Sequence, residues 1–265
     1  MPAAYAHYCF GRDVLKLLEE PQRSIVTAHR ALFDIGLHGP DIFFFYRPVA
    51  ANSVSSMGHA MHRLSGETVL RRMQARYDHN ASPAAQAYLW GFLCHFVLDA
   101  SCHGFVGQME ALGVNHALLE TQLDRAFLVK DKRDPCHSNP TGHLKPSYEA
   151  AAVIAAFFPE RTVGEVEESI RSMIRVQQLL LPTSPLKRSV LEKTTALFRK
   201  PSIAGMVMPQ RESVACRQMV RRLLALYGEA VPVAARLIAA LPARSDALYR
   251  LNFDGQAPCT EERER

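Results

Sequence analysis

The chain has 265 residues, 48% of them hydrophobic and 22% charged, with a formal net charge of +5. Such a length supports a sizeable core, and such a composition excludes a disordered or fibrous chain. The basic residues of LKRSVLEKTTALFRK and CRQMVRRLLALYGE are spaced as helix faces. They are compatible with attraction to phosphate or anionic lipid and do not by themselves establish nucleic-acid binding.

The opening residues MPAAYAHYCFGRDVLKLLEE lack a basic stretch followed by an apolar signal core, and no later apolar run reaches the length of a membrane span. The expectation is a soluble, cytoplasmic protein. Its six cysteines, Cys9, Cys94, Cys102, Cys136, Cys216 and Cys259, include no CxxC pair. That excludes a zinc ribbon or thioredoxin motif and favours free thiols. Helical periodicity dominates and no strand pattern is bounded by hairpin turns, which predicts an all-α fold. The chain is read as one domain over 1–265, with a metal-site half at 1–143 and a helical half without histidine at 144–265.

In chain order, YAHYCFG presents His7 near the start. GLHGPDIFFFY has Gly36, Gly39 and Pro40 marking a tight loop that presents Asp41. Its aromatic run, Phe43 to Tyr46, is read as core rather than as a lipid-contacting lip, and His38, three residues before Asp41, as a loop residue in preference to a supporting partner of that site. GHAMHR places His59 and His62 on one helical turn. A helix is predicted from Ser82 and Pro83, a capping residue followed by a proline suited to the first turn. Within it lies HFVLDASCH. On a helix, residues four apart differ by only about 40° and rise about 6 Å, so His95, Asp99 and His103 share one face. Burying them requires partners, and two readings stand: a metal ion, or a satisfied hydrogen-bond network.

The next helix, capped by Asn115, carries His116 and Glu120, again four apart. Then RDPCHSNPTGHLKP reads as a loop. Further helices are predicted over Pro146–Phe158, Thr162–Leu181, Leu186–Arg199 and Glu212–Leu241, the last broken by Pro232, and a frayed tail contains Cys259. All eleven histidines lie between His7 and His143, so any site needing imidazole belongs to the first half. The second half is read as scaffold or as a cover for that site. His29, His79, His137 and His143 have no partner at convincing spacing and are read as surface or capping residues.

Imidazole nitrogens and carboxylate oxygens are the donors zinc accepts. His95 and His103 stand about 12 Å apart along the axis while zinc ligands lie about 2 Å from the ion, so the stripe calls for more than one ion. Asp99 lies between them and can bridge.

The ordered set of an AH pair near the start, GPD in a loop, GxxxH, HxxxD continuing to a nearby His, and HxxxE resembles the zinc-dependent phospholipase C family over about His7 to Glu120. The resemblance implies a multi-helix bundle of the phospholipase C and zinc nuclease kind, holding two or three Zn2+ ions. It implies Asp41, His62, His95 and Asp99 as one site and His103, His116 and Glu120 as a second. His7 with bridging Asp99 begins a third. His62 is preferred to His59 on GxxxH spacing. Two departures stand out. In secreted relatives an N-terminal tryptophan completes the third site, whereas here the only tryptophan is Trp90. That site is left to backbone groups of the first residues, to water, or empty. His103 also follows Asp99 by only four residues, which predicts a bend near Ser101 and Cys102.

The implied activity is phosphodiester hydrolysis of a phospholipid, releasing diacylglycerol and a phosphorylated head group, with Asp41 as ligand and general base. The implied partners are a phospholipid or other phosphodiester substrate and a transient contact with a membrane surface. No stable nucleic-acid partner is expected, and the oligomeric state is open. Two alternatives are a single-strand nuclease or other phosphoesterase on the same scaffold, and a non-enzymatic helical protein held by zinc.

Overall fold

The structure, a computed structural model, describes residues 3–197, 201–241 and 246–258. All regular structure among these residues is helical. The elements are Ala4–Leu17 (α1), Gln22–Ala28 (α2), Arg30–Gly36 (α3), the 3₁₀ helix Gly39–Phe45, Ser53–Arg63 (α4), Gly66–His79 (α5) and Pro83–Ala111 (α6). They continue with His116–Lys130 (α7), Tyr148–Ala155 (α8), Val163–Leu180 (α9), Pro185–Leu197 (α10), Pro201–Gly205 (α11), Arg217–Ala240 (α12) and a final 3₁₀ turn, Ala247–Arg250.

α6 is the axis of the bundle. Every residue from Ala87 to Ala100 is buried, as expected of a helix that is apolar around its whole circumference. α1, α3, α5, α7 and α12 pack around it. Ser82 caps it through the backbone N–H of Ala85, with Pro83 in the first turn. Asn115 caps α7 through Leu118 N–H, and Thr162 with Glu165 forms a reciprocal capping box on α9.

α3 lies unusually close to α6. A side chain at Gly36 would meet Tyr88 O at 2.4 Å, and one at Gly91 would meet Phe33 O at 2.2 Å. The two glycines let the backbones touch, and the chain leaving α3 therefore passes directly beside His95. Gly39 turns it there with φ +45, a left-handed conformation that glycine adopts without a Cβ penalty. Asp41 follows in the 3₁₀ helix. Phe43 and Phe45 are buried, in accord with the core reading of the aromatic run, while Phe44 is half-buried and stacks on His59 with ring centroids 4.2 Å apart.

Three expectations are corrected. α6 runs unbroken through Ser101 and Cys102, because Asp99 stands one turn from each histidine and reaches both without a bend. α12 continues through Pro232. Proline removes one hydrogen bond, to the carbonyl of Gly228, but both residues face solvent, where water can serve that carbonyl, and the buried face on either side holds the helix. Finally, α6 and α12 are both long and apolar enough to cross a membrane by length and composition. For α6, 83% of the apolar window is buried inside the protein. α12 buries one face against α6, α1 and α7 and exposes Arg221, Arg222, Glu229 and Arg236 on the other. Arg199 and Cys259, the latter in the tail expected to fray, lie outside the described residues, as do Met1 and Pro2.

Candidate metal centre

The predicted ligands come from five elements. α6 supplies His95, Asp99 and His103, α7 supplies His116 and Glu120, and α4, the first 3₁₀ helix and α1 supply His62, Asp41 and His7. Seven of the eight are buried, and His116 is the exception, its side chain 30% exposed.

Their reactive atoms converge into two groups, Asp41 with His62, His95 and Asp99, and His103 with His116 and Glu120, each group within 4.8 Å. In the first, Asp41 Oδ1 is 2.7 Å from His62 Nε2 and 3.9 Å from His95 Nε2. In the second, Glu120 Oε1 is 3.1 Å from His103 Nε2 and Oε2 is 3.3 Å from His116 Nε2. Asp99 joins the two. Its Oδ2 lies 3.2 Å from His95 Nε2, while Oδ1 lies 3.1 Å from His7 Nε2 and 3.8 Å from His103 Nε2.

The outer faces of the rings show what the inner faces are for. His7 Nδ1 donates to Ala3 O at 2.8 Å, His95 Nδ1 to Leu37 O at 3.3 Å, and His103 Nδ1 to Phe253 O at 2.9 Å. His116 Nδ1 donates to Glu110 Oε2 at 3.2 Å. A neutral imidazole that gives its proton at Nδ1 keeps the lone pair on Nε2, the arrangement that second-sphere partners impose on metal-ligating histidines. Every one of these Nε2 atoms points inward. Moreover, His95 Nε2, Asp99 Oδ2, His116 Nε2 and Glu120 Oε2 are buried without a hydrogen-bond partner among the described residues. Two pairs of them stand at contact distance yet are misaligned for a hydrogen bond, as atoms aimed at a shared point between them would be. Hydrogen bonds join His7 to Asp99, His62 to Asp41 and His103 to Glu120, but these four atoms leave the network incomplete, and the donor set fits metal ions.

Without a metal ion, the carboxylates instead draw protons onto the same rings. Burial pushes His103 down, but Asp99 and Glu120 more than reverse this and hold it up at about 10. Against the same burial, His7 is raised by Asp99, and His116 by Glu120. Glu120 is carried down to about 2 by His103 and His116 although burial opposes it, and Asp99 and Asp41 also lie below the usual carboxylate range. Three ionised carboxylates in one buried space demand positive charge.

His59, the competitor of His62, is exposed and outside the cluster. His29 caps α3 through its carbonyl, while His79 and His137 are exposed. Cys94 and Cys102 are buried free thiols. His38 does lie in the turn before the 3₁₀ helix, as read, whereas His143 is half-buried and has a partner, which overturns its surface reading. His38 is buried beside His7, and its Nε2 lies 2.8 Å from His143 Nε2, so one ring donates to the other. Burial keeps both neutral, His143 down at about 3. Their separation of 105 residues left no local spacing to reveal the pair.

Two further contributors were missed. Asp124, one turn beyond Glu120, accepts hydrogen bonds from the N–H groups of Tyr5 at 3.1 Å and Ala6 at 2.7 Å. It thus caps the start of α1 and places His7. Its signal was present as the next step of the four-residue stripe His116, Glu120, Asp124. The other is Phe253, whose ring packs on His62 with centroids 4.9 Å apart and whose carbonyl orients His103. An isolated phenylalanine near the tail gives no such signal. Phe253 is thus a residue of the second half that covers the centre.

The fold and the site together define a class: all-α proteins built around a buried histidine and carboxylate centre for metal. The family model described as zinc dependent phospholipase C matches residues 6–170, well over half of the chain, and the chain belongs to that family. No curated protein and no solved structure matches it. The matched span contains all eight predicted ligands and ends within α9.

Proposed function

We propose that this protein is a zinc-dependent phosphodiester hydrolase that cleaves a phospholipid head-group ester. The observation that carries the reading is Asp99, whose two oxygens face two different groups of inward-pointing ligand atoms. Asp41, His62, His95 and Asp99 would hold one ion, and His103, His116 and Glu120 a second. His7 with Asp99 would begin a third, supported by a cavity of about 20 Å³ among His7, Asp99, His103 and Glu120, room for roughly one water-sized particle. Ala3 O already accepts from His7 Nδ1, and the completion of that third site lies with residues outside those described or with water.

Bound zinc supplies Lewis-acid polarisation of phosphoryl oxygens and acidifies water towards a pKa of ~7. The chain supplies the rest. Asp41 is held ionised, which leaves it able to take the proton of an attacking water as general base. Burial of seven ligands excludes bulk solvent, and the partly open edge at His116, beside exposed Glu110, is the side from which a phosphodiester would approach. Attack of the water oxygen at phosphorus would break the bond to the glycerol oxygen, which takes up the proton held by Asp41, leaving diacylglycerol and a phosphorylated head group. The reading takes residues 1–265 as one domain, supported by a single hydrophobic cluster with members from Ala3 to Phe253. Five free buried cysteines among the described residues support a cytoplasmic setting.

The test is elemental analysis of protein purified without chelator, beside Asp99→Ala, followed by phosphatidylcholine and single-stranded DNA as substrates. Two or three zinc ions per chain, lost together with lipid turnover in the variant, are expected. Folded protein without metal overturns the reading, and cleavage of DNA without lipid turnover overturns its substrate.

A further inference from the structure

Away from the metal centre, a groove of about 470 Å³ runs between α4, α5 and the connection from α8 to α9. None of the eight predicted ligands lines it. Its floor is apolar, built from Met57, Met61, Val69, Met73 and Phe158. Phe158 is anchored edge-on to Phe43 with centroids 4.9 Å apart. Three methionines make a floor that is flexible and polarisable and moulds itself to an irregular apolar occupant. The volume falls in the range of small-molecule sites.

The rim is cationic. Arg72, Arg76 and His79 stand at i, i+4 and i+7 on α5 and so occupy one face. Arg71, beside them, is paired with Glu67, whereas among the described residues neither Arg72 nor Arg76 has an ion pair or hydrogen bond through its guanidinium. Like charges at i and i+4 work against a helix, and an anion placed between them removes that repulsion. On the opposite wall Arg161, its side chain 13% exposed, is paired with Glu165 at 3.8 Å, donates from Nη1 to Ser53 Oγ at 3.0 Å and leaves its buried Nε unpartnered among the described residues, so the free charge of the groove lies on the α5 side. Glu160 is the one acidic residue of the lining.

From this pairing of an apolar floor with unpaired guanidiniums we propose that the groove binds a single-chain amphiphile bearing a phosphate monoester. The acyl chain lies along the methionines and the head group between Arg72 and Arg76. A phosphate monoester carries about −1.5 to −2 at pH 7 and presents three acceptor oxygens, which matches two guanidiniums better than a single carboxylate does. The inference is independent of the hydrolase reading, since no predicted ligand of the metal centre takes part.

Isothermal titration of the full chain with lysophosphatidates of increasing chain length, each below its micelle concentration, tests it. One molecule per chain is expected, with affinity rising up to about fourfold per added CH₂ while the groove fills. In the double variant R72A/R76A, whose replaced side chains are exposed, affinity is expected to fall about tenfold or more with helical content and metal content unchanged. Absence of binding, equal binding by the double variant, or affinity independent of chain length overturns the proposal. Oleate binding as tightly as oleoyl lysophosphatidate overturns the head-group assignment. An acidic amphipathic peptide that binds where the lipids do not replaces lipid by protein as the occupant and overturns it too.

Discussion

The two ligand groups are built in opposite ways. His103, His116 and Glu120 come from two helices joined by a short turn, and His116 remains half open to solvent. Asp41, His62, His95 and Asp99 come from three elements brought together by the close crossing of α3 on α6, and all four are buried. The first group depends chiefly on helical spacing, whereas the second depends on glycines, a left-handed turn and packing elsewhere. Asp99 is the one side chain that belongs to both regimes. The difference leads to the expectation that a residue of the open group can be lost locally, whereas loss of one from the closed group empties it as a unit.

The largest expected effect follows from that bridge. Asp99→Ala should remove more than one ion per chain and abolish hydrolysis, read by elemental analysis and turnover. Loss of only a single ion would break the bridging assignment. His116→Ala should come next, with one ion lost, the Asp41 group still loaded, and activity reduced. If both groups empty together, the contrast between open and closed construction is wrong.

Asp124 offers a finer probe through pH. Burial raises its carboxyl to about 7, against the opposing hydrogen bonds from Ala6 and Tyr5, whereas an unfolded aspartate titrates near 3.9. The folded state therefore binds more protons between those values, and the contribution of this group to stability falls as pH rises from about 4 to 7. Asp124→Asn should remove that slope in denaturation measured across the window, and Asp124→Ala should cost about 1 kcal/mol through loss of the cap on α1. A stability profile unchanged in Asp124→Asn would show that the carboxylate is ionised throughout. The smallest effect is expected of His59→Ala, within about 0.5 kcal/mol and with unchanged metal content, while His62→Ala should lose metal. Equal losses in the two variants would reverse the choice between these histidines.

Spacing and caps were legible in the chain itself. Ser82, Asn115 and Thr162 start helices through side-chain oxygens that reach only three residues on, so the starts of α6, α7 and α9 could be read without a structure. The stripes His95, Asp99, His103 and His116, Glu120 follow from the same 3.6-residue period. Asp124 was equally visible, as the continuation of the second stripe, but its partners, the N–H groups of Tyr5 and Ala6, lie more than a hundred residues away. Pro232 misled because local propensity takes no account of a packed face on both sides of the break.

The sequence by itself determined the all-α class, the donor atoms of the candidate centre and the helical order of its residues, because these rest on contacts within a few residues of the chain. Only the tertiary structure decided that His62 rather than His59 faces Asp41, that His38 meets His143, that Phe253 covers the centre, and that Arg72 and Arg76 flank an apolar groove. Each of those depends on which helix face meets which neighbour. Burial across the whole bundle sets that choice, and residue spacing along one helix does not encode it.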